Sequence, residues 1–319
     1  MSYVDHVEQF HGLPSFTFPS YANPADLPAA DAVAWRLHCG PYTTDESSGS
    51  YWNRFTESVE PEKIRALIFG NPWDGSSPKE LLALRSRFTG LEALFLGDLV
   101  NEEAMISTIQ LGDLTELLKA FPGLRELAMR GGDPLEFPVT GHEGLRVLRV
   151  ESGGLSGEAV AQIVAASLPS LEHLELWLGD DYYGGGARAE HLAPLLACTD
   201  RPALRHLGLQ NSTVQDHLAA AVASAPVVRG LTSLSLSMGT LGDKGAEALL
   251  SGQSLSHLRE LDLSHHYLSQ DMMLRIWTEL EPQGVRVNLT DRQEEDEYED
   301  DEYDEDLDEW AGRYVAVSE

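Results

Sequence analysis

An α/β fold built from stacked strand–helix units is what this sequence predicts, on three observations. The pattern Leu-x-x-Leu-x-Leu, with conservative swaps, occurs eight times, beginning at Ile64, Leu91, Leu124, Leu145, Leu171, Leu204, Leu231 and Leu258. The copies are separated by 27, 33, 21, 26, 33, 27 and 27 residues, and self-similarity at such a period marks a solenoid rather than a single closed core. Behind each strand pattern the apolar residues change from period 2 to helical spacing, so one repeat reads as one strand plus one helix.

The elements follow in chain order. Residues 1–60 read as an N-terminal cap with a degenerate first repeat: Gly12 to Phe18 and the Pro-rich continuation to Pro28 cover the open end of the core, Val33, Trp35 and Leu37 alternate as a strand, and Trp52, Phe55 and Val59 have helical spacing. Residues 61–290 hold the repeats. The best copy is Leu231-Thr-Ser-Leu234-Ser-Leu236, whose strand buries Leu234 and Leu236 before Leu241 turns the corner and Ala246, Leu249 and Leu250 form an inward stripe. The stretches Leu145 to Ile163 and Leu204 to Val222 repeat this plan. A last helix around Met272, Ile276 and Leu280 precedes a last strand of Val285, Val287 and Leu289, giving an expected total of about ten strands. Residues 291–310 form an acidic segment expected to be extended and mobile, and 311–319 a short C-terminal motif whose Tyr314, Val315 and Val317 could dock back. Removal of the acidic segment is accordingly expected to leave stability unchanged.

This spacing resembles the ribonuclease-inhibitor class of leucine-rich repeat, which implies a horseshoe with parallel strands on its concave face and helices on its convex face. The position that often carries a buried Asn in such repeats holds Leu99, Gly153, Gly179, Ser212, Gly239 and His266. Leu96-Gly97-Asp98, Arg130-Gly131-Gly132, Leu176-Trp177-Leu178-Gly179, Ala225-Pro226-Val227-Val228, His265-His266 and the terminal Arg313-Tyr-Val-Ala-Val-Ser-Glu319 resemble a bacterial family of leucine-rich repeat proteins with no assigned activity. Some of its members are encoded beside radical-SAM and ATP-grasp-like proteins, so the resemblance implies an accessory role in a modification pathway.

Composition narrows the function classes. The chain of 319 residues carries a net charge of −30. Residues 291–310 contribute −13, through 14 acids against Arg292, and the remainder is −17. An acidic surface with no basic stripe repels phosphate backbones, so nucleic acid is not expected as a partner. No apolar run approaches the ~18 residues of a membrane helix, and no membrane association is expected. The start of the chain, with Asp5 and Glu8 and no apolar stretch, does not read as a secretory signal. Cys39 and Cys198 lie far apart, which fits a reducing cytoplasm better than a disulfide framework.

The residues flanking the buried leucines point to the concave face. Early strands place small and apolar residues there, such as Ala66, Ile68, Ala93 and Phe95; middle strands place Arg130, Arg149, Glu151, His173, Glu175 and Trp177; later strands place His206, Gln210, Ser237 and Asp262. A Trp beside Glu and His has the composition of a binding anchor. Two repeats are longer than their neighbours. One surplus contains Gly179 to Ala187 with Tyr182 and Tyr183, the other Gly97 to Glu103 with Gln110 to Asp113; both emerge on one edge, where loops carry contacts and the triple Gly would let backbone approach a ligand. The partner-binding residues are therefore expected to be Arg130, Arg149, Glu151, His173, Glu175, Trp177, Tyr182, Tyr183, His206, Gln210, Ser237 and Asp262.

No nucleophile elbow, P-loop or zinc-protease motif is present. His265 and His266 are adjacent on a strand and face opposite ways, so they do not converge on a metal. Glu126, Glu151 and Glu175 could bring carboxylates together for acid–base work, but Arg130 and Arg149 stand among them as ion-pair partners. Asp98 and Asp243 read as helix N-caps. The expectation is a non-catalytic module that binds a protein or peptide, a basic one by charge complementarity, with no cofactor and no metal. The alternatives are an enzyme or enzyme subunit using concave-face carboxylates and histidines, and small-molecule binding at the Gly-rich rim.

Overall fold

Alternating apolar residues make the strands of this α/β protein, and the side chains of one parity fill the space between sheet and helices. The computed structural model describes residues 5–19, 26–37, 47–70, 79–138, 140–199, 201–296 and 312–318. Cys39, Trp310 and the acidic run from 297 lie outside them. The chain divides into two compact units, Tyr3–Glu151 with Ala166–Leu171, and Ser152–Ala165 with Glu172–Glu319.

In the N-terminal unit the elements are β1 (Gln9–Phe10), β2 (Leu13–Thr17), β3 (Ala34–Leu37), α1 (Ser48–Ser58), β4 (Ala66–Phe69), α2 (Lys79–Ala83), β5 (Ala93–Leu96), β6 (Gln110–Asp113), α3 (Thr115–Ala120), β7 (Glu126–Arg130), β8 (Gly132–Glu136) and β9 (Val147–Glu151). Strands β2, β3, β4, β5, β7 and β9 pair in parallel in that order. The register aligns Trp35, Leu67, Leu94, Leu127 and Leu148 in one row, all buried, each worth about 1.5–3 kcal/mol of apolar transfer. Around Trp35 the rings of Phe16, Phe18 and Phe55 pack edge to face, and Tyr51 donates to the Phe18 carbonyl. The stretch expected as an end cap, Gly12 to Phe18, is thus mostly an extra parallel strand. The surplus residues Gln110 to Asp113 form β6, which pairs with β8 as a separate two-stranded sheet.

The opposite face of this sheet is also closed. Ala34, Ala66, Ile68, Ala93, Phe95 and Ala128 form a second core with Phe10, flanked by Val7 and Leu13, and the Phe10 and Phe95 rings meet edge to face at 5.7 Å. Polar anchors hold this N-terminal segment in place. The Val7 N–H donates to Asp98 Oδ1 at 3.1 Å, Arg36 Nε donates to Asp98 Oδ2 at 2.7 Å, and His11 Nδ1 lies 2.8 Å from Glu126 Oε2. Asp98 is therefore a buried anchor for the N-terminal segment and not a helix cap. Beside it Glu92 is shared by Arg65, Arg125 and His11; burial pushes its carboxyl up, but the Arg65 hydrogen bond and the two guanidinium charges outweigh that and lower it.

The C-terminal unit continues with α4 (Gly157–Ala165), β10 (His173–Gly179), α5 (Ala189–Leu196), β11 (His206–Ser212), α6 (Gln215–Val222), β12 (Ser233–Ser235), α7 (Asp243–Ser251), β13 (Glu260–Asp262), α8 (Gln270–Leu280) and β14 (Arg286–Asn288). Strands β10 to β14 pair in parallel in sequence order. Leu174, Leu207, Leu234, Leu261 and Val287 fall into one row, backed by Leu195, Leu218, Leu249 and Ile276 from the helices, all buried. The N-cap of α7 is Gly242; Asp243 is its first residue, and its carboxylate instead accepts the Ser269 N–H at 2.8 Å.

At the strand ends the chain turns through left-handed backbone at Asn211, Met238 and His265, spaced 27 residues apart, and again at Asp291. The residues that follow satisfy the turns with a mixture of groups. Ser212 Oγ accepts the Val214 N–H. His266, fully buried, accepts the Leu268 N–H on Nδ1 at 3.1 Å and so carries its proton on Nε2, 3.2 Å from the Leu289 carbonyl. His265 points elsewhere, with Nδ1 3.2 Å from Asp291 and Nε2 3.1 Å from the Tyr314 carbonyl.

The C-terminal segment docks across these turns. The Tyr267 hydroxyl lies 3.1 Å from the Tyr314 carbonyl, the Ala316 N–H donates to the Met238 carbonyl at 2.9 Å, and Asn211 pairs with Val317. Val315 and Val317 are buried. The beginning of the acidic run is tied in as well: Arg292 Nε donates to the Leu268 carbonyl, Glu295 pairs with Arg313, and the Asp296 N–H donates to the Gly312 carbonyl at 3.0 Å. Residues 291–296 thus belong to the folded unit, a correction to their expected place in a mobile stretch.

Candidate functional site

Parity decides which side chains of the C-terminal sheet face away from its helices. With Leu174, Leu176 and Leu178 buried on β10, His173, Glu175 and Trp177 project from the other face, each half-buried. The parallel register sets His173 beside His206, Glu175 beside Gly208 and Trp177 beside Gln210. Further across, His206 neighbours Ser233, and Ser235 neighbours Asp262.

These residues form one connected polar arrangement. Trp177 Nε1–H is shared between Glu175 Oε1 at 3.2 Å and Gln210 Oε1 at 3.1 Å. Gln210 Nε2 donates to Ser235 Oγ at 2.7 Å and Ser237 Oγ at 2.9 Å. The second Glu175 oxygen, Oε2, lies 3.2 Å from His173 Nε2. The His173 and His206 rings stack with centroids 4.0 Å apart and planes 11° from parallel, and His206 Nδ1 lies 3.0 Å from Ser233 Oγ. Gln210 and Ser237 are buried beneath this surface, so they orient Trp177 rather than offer contacts themselves. Asp262 is half-buried and committed to the Ser264 N–H and to Asn288 Nδ2.

The remaining expected residues have other surroundings. In the N-terminal unit, Arg130 and Glu151 are both buried and paired to each other, Nε to Oε2, at 2.8 Å; Arg130 Nη1 also donates to the Leu99 carbonyl. That pair is structural support. Arg149 is half-buried on the same strand as Glu151. On the long loop of the C-terminal unit, Asp180 caps a short helical turn of Asp181–Tyr183, and Tyr182 is exposed with its ring edge to face with Tyr183. Two glycines of that loop are required by backbone packing: a Cβ on Gly179 would stand 2.1 Å from the Gly153 carbonyl oxygen and one on Gly185 2.7 Å from that of Asp180, whereas Gly184 and Gly186 meet nothing closer than 3.8 Å and 3.6 Å. Glu126, Glu151 and Glu175 have His11, Arg130 and Trp177 among their respective partners.

Sequence reasoning placed His173, Glu175 and His206 among the partner-binding residues and did not single the three out as one cluster. The signal was available. Residues 173 and 175 share a face, and the 33-residue repeat puts 206 directly beside 173. The covering of the early strands by Val7 and Phe10 had no comparable signal, because a short apolar pair in a polar N-terminus fits many roles.

No helix among the described residues is long and apolar enough to cross a membrane. No family model and no curated protein matches the chain. Its fold is similar to that of a Bacteroides fragilis protein whose crystal structure was determined as a structural-genomics target, with a TM-score of 0.70 and 26% sequence identity over 76% of this chain and 70% of that one.

Proposed function

We propose that this protein is a bacterial leucine-rich repeat solenoid acting in the cytoplasm as a non-catalytic binding module, and that it takes a basic protein or peptide on the concave face of its C-terminal strands. The observation that carries this reading is Trp177, half-exposed and held in orientation by Glu175 and Gln210. A preoriented aromatic loses little freedom on binding, and Trp is the residue type most enriched at the energetic centres of interfaces. Glu175, Glu260 and Asp262 on the same sheet face, in a chain of net charge −30, favour a cationic partner.

Two further observations support the reading. The 27-residue spacing of left-handed residues at the strand ends, with in-register leucine rows, fits a leucine-rich repeat. In the N-terminal unit, a sheet face of the same kind is already covered by the chain itself, through Val7, Phe10 and Leu13 around the turn at His11 and Gly12, so this type of surface can pack against apolar side chains of a polypeptide. An accessory role in a modification pathway fits a module that presents a substrate without acting on it.

The test is capture of partners from native bacterial lysate at low and moderate salt, followed by calorimetry with the identified partner. Trp177→Ala should weaken binding by about 2 kcal/mol or more, and raised salt should weaken it further. A partner bound equally well by Trp177→Ala, or turnover of a substrate by the purified protein, overturns the reading.

A further inference from the structure

We propose that His173, Glu175 and His206 form a binding site for a divalent transition-metal ion of the zinc class. The inference stands apart from the binding reading above, since it requires no protein partner, and it departs from the expectation that the protein needs no metal. The three side chains each offer one ligand atom, and these atoms lie within 4.8 Å of one another. Two imidazoles and a carboxylate are the ligand set that zinc and its neighbours favour over magnesium or calcium, which prefer oxygen alone.

The surroundings hold these three groups as a metal site requires. Ligating histidines usually commit their second nitrogen to a neighbouring polar group, which fixes the ring; His206 does so through Nδ1 to Ser233 Oγ at 3.0 Å, leaving Nε2 toward the cluster. Glu175 is held in the same manner, its Oε1 receiving the Trp177 N–H at 3.2 Å while Oε2 faces His173 Nε2 at 3.2 Å. The strand position facing Glu175 is Gly208. A Cβ there would stand 3.0 Å from Glu175 Cγ and 3.3 Å from His206 Nε2, so glycine keeps open the notch between the ligands.

Coordination needs one local change. The rings are stacked 11° from parallel, whereas ligands ~2.0–2.1 Å from one ion must aim at a common point. With His206 held at Nδ1 by Ser233, the change falls on His173, a half-buried residue that has to turn about its Cβ–Cγ bond. Three protein ligands leave a fourth position on the open side of the sheet, for water or for a donor group brought by a bound molecule.

The experiment is a titration of chelator-stripped full-length protein with Co2+, read by its d–d absorption, and with Zn2+ in competition, in physiological salt and millimolar Mg2+. Magnesium occupies the acidic carboxylates, which would otherwise take up cobalt. The expected result is a single nitrogen-ligated Co2+ per chain, displaced by Zn2+. Affinity should fall by about 100-fold or more in His206→Ala and in Glu175→Gln, and by about 10-fold in Ser233→Ala and in Gly208→Ala, which retain all three ligands. Melting curves of the metal-free variants separate lost binding from lost folding; should a ligand variant fail to fold, the Gly208→Ala and Ser233→Ala affinities decide. Cobalt binding that Mg2+ abolishes in wild type, or that persists unchanged in folded His206→Ala or in both retained-ligand variants, overturns the proposal.

Discussion

The side chain of Asn211 grips the backbone of Val317 on both sides of its Cα: the Val317 N–H donates to Oδ1 at 2.9 Å, and Nδ2 donates to the Val317 carbonyl at 2.5 Å. A primary amide mimics a peptide group, so one side chain acts as a single rung of β-ladder. Asn211 is fully buried and its Nδ2 also lies 3.2 Å from the Ser152 carbonyl. The turn residue of β11 and the end of the chain, 106 positions apart, thereby become one structural element.

Replacing Asn211 separates two contributions. Its backbone is left-handed, at φ 55°, so Asn211→Gly removes only the amide, while Asn211→Ala also forces a Cβ into a conformation that costs about 1–2 kcal/mol. Both should be destabilised, by about 1–3 kcal/mol for the buried carbonyl and N–H left unsatisfied, with the alanine variant the worse. Hydrogen exchange at the Val317 amide should accelerate in both. Equal stability of the two, or an amide as protected as in wild type, would show that the clamp is dispensable.

Truncation after Asp296 or after Gly312 asks whether the docked segment contributes to stability. The two buried valines, Val315 and Val317, represent about 1.5–3 kcal/mol each of apolar burial, offset by the chain entropy of the released residues at about 1–2 kcal/mol each. Hydrogen bonds from Tyr267, His265 and Met238 tip the balance toward docking. Either truncation should lower the unfolding free energy by about 2 kcal/mol, a typical cost for losing a packed apolar contact, read from urea midpoints. An unchanged midpoint would mean that the segment rests on the strand ends without stabilising them.

Phe10 tests the closure of the N-terminal sheet face. It is buried against Phe95 and a floor of alanines, so Phe10→Ala should cost about 3–5 kcal/mol and expose Ile68 and Phe95. Dye binding at mild denaturant should rise with it. A loss below ~1 kcal/mol would indicate that the segment from Val7 to Leu13 only skims the sheet.

Much of the fold was legible because a repeat states the same physics many times: period-2 leucines place Leu67, Leu94, Leu127 and Leu148 in one buried row, and helical spacing gives buried helix residues such as Leu117 and Leu118. What escaped involves residues that act once. Val7 and Phe10 cover a sheet face from outside the repeats, Asn211 meets a residue 106 positions away, and Asp98 anchors Arg36 across 62. The polar face was read correctly in parity, as His173, Glu175 and Trp177 show. Its depth was not: Arg130, Glu151, Gln210 and Ser237 share that parity yet lie buried in ion pairs and hydrogen bonds, and alternation cannot distinguish a side chain that reaches outward from one folded against its neighbour.

The last prediction concerns acid stability and His266. This imidazole is buried at a turn, accepting from Leu268 and donating to Leu289, which only the neutral ring can do. Burial pushes its pKa below the ordinary histidine value of 6.5, against an opposing contribution from the Leu289 hydrogen bond. With the folded value below the unfolded one, both states are neutral above pH ~6.5 and the residue contributes no pH dependence there. As pH falls below that point the unfolded chain takes up the proton first, so stability drops until the folded value is reached. The slope from this one group cannot exceed about 1.4 kcal/mol per pH unit. His266→Asn keeps one donor and one acceptor and cannot titrate, so its unfolding free energy should vary less than that of wild type between pH 7 and 5, whatever the shift in absolute stability. Parallel curves for the two proteins over that range would show that another group governs the acid side of the stability profile.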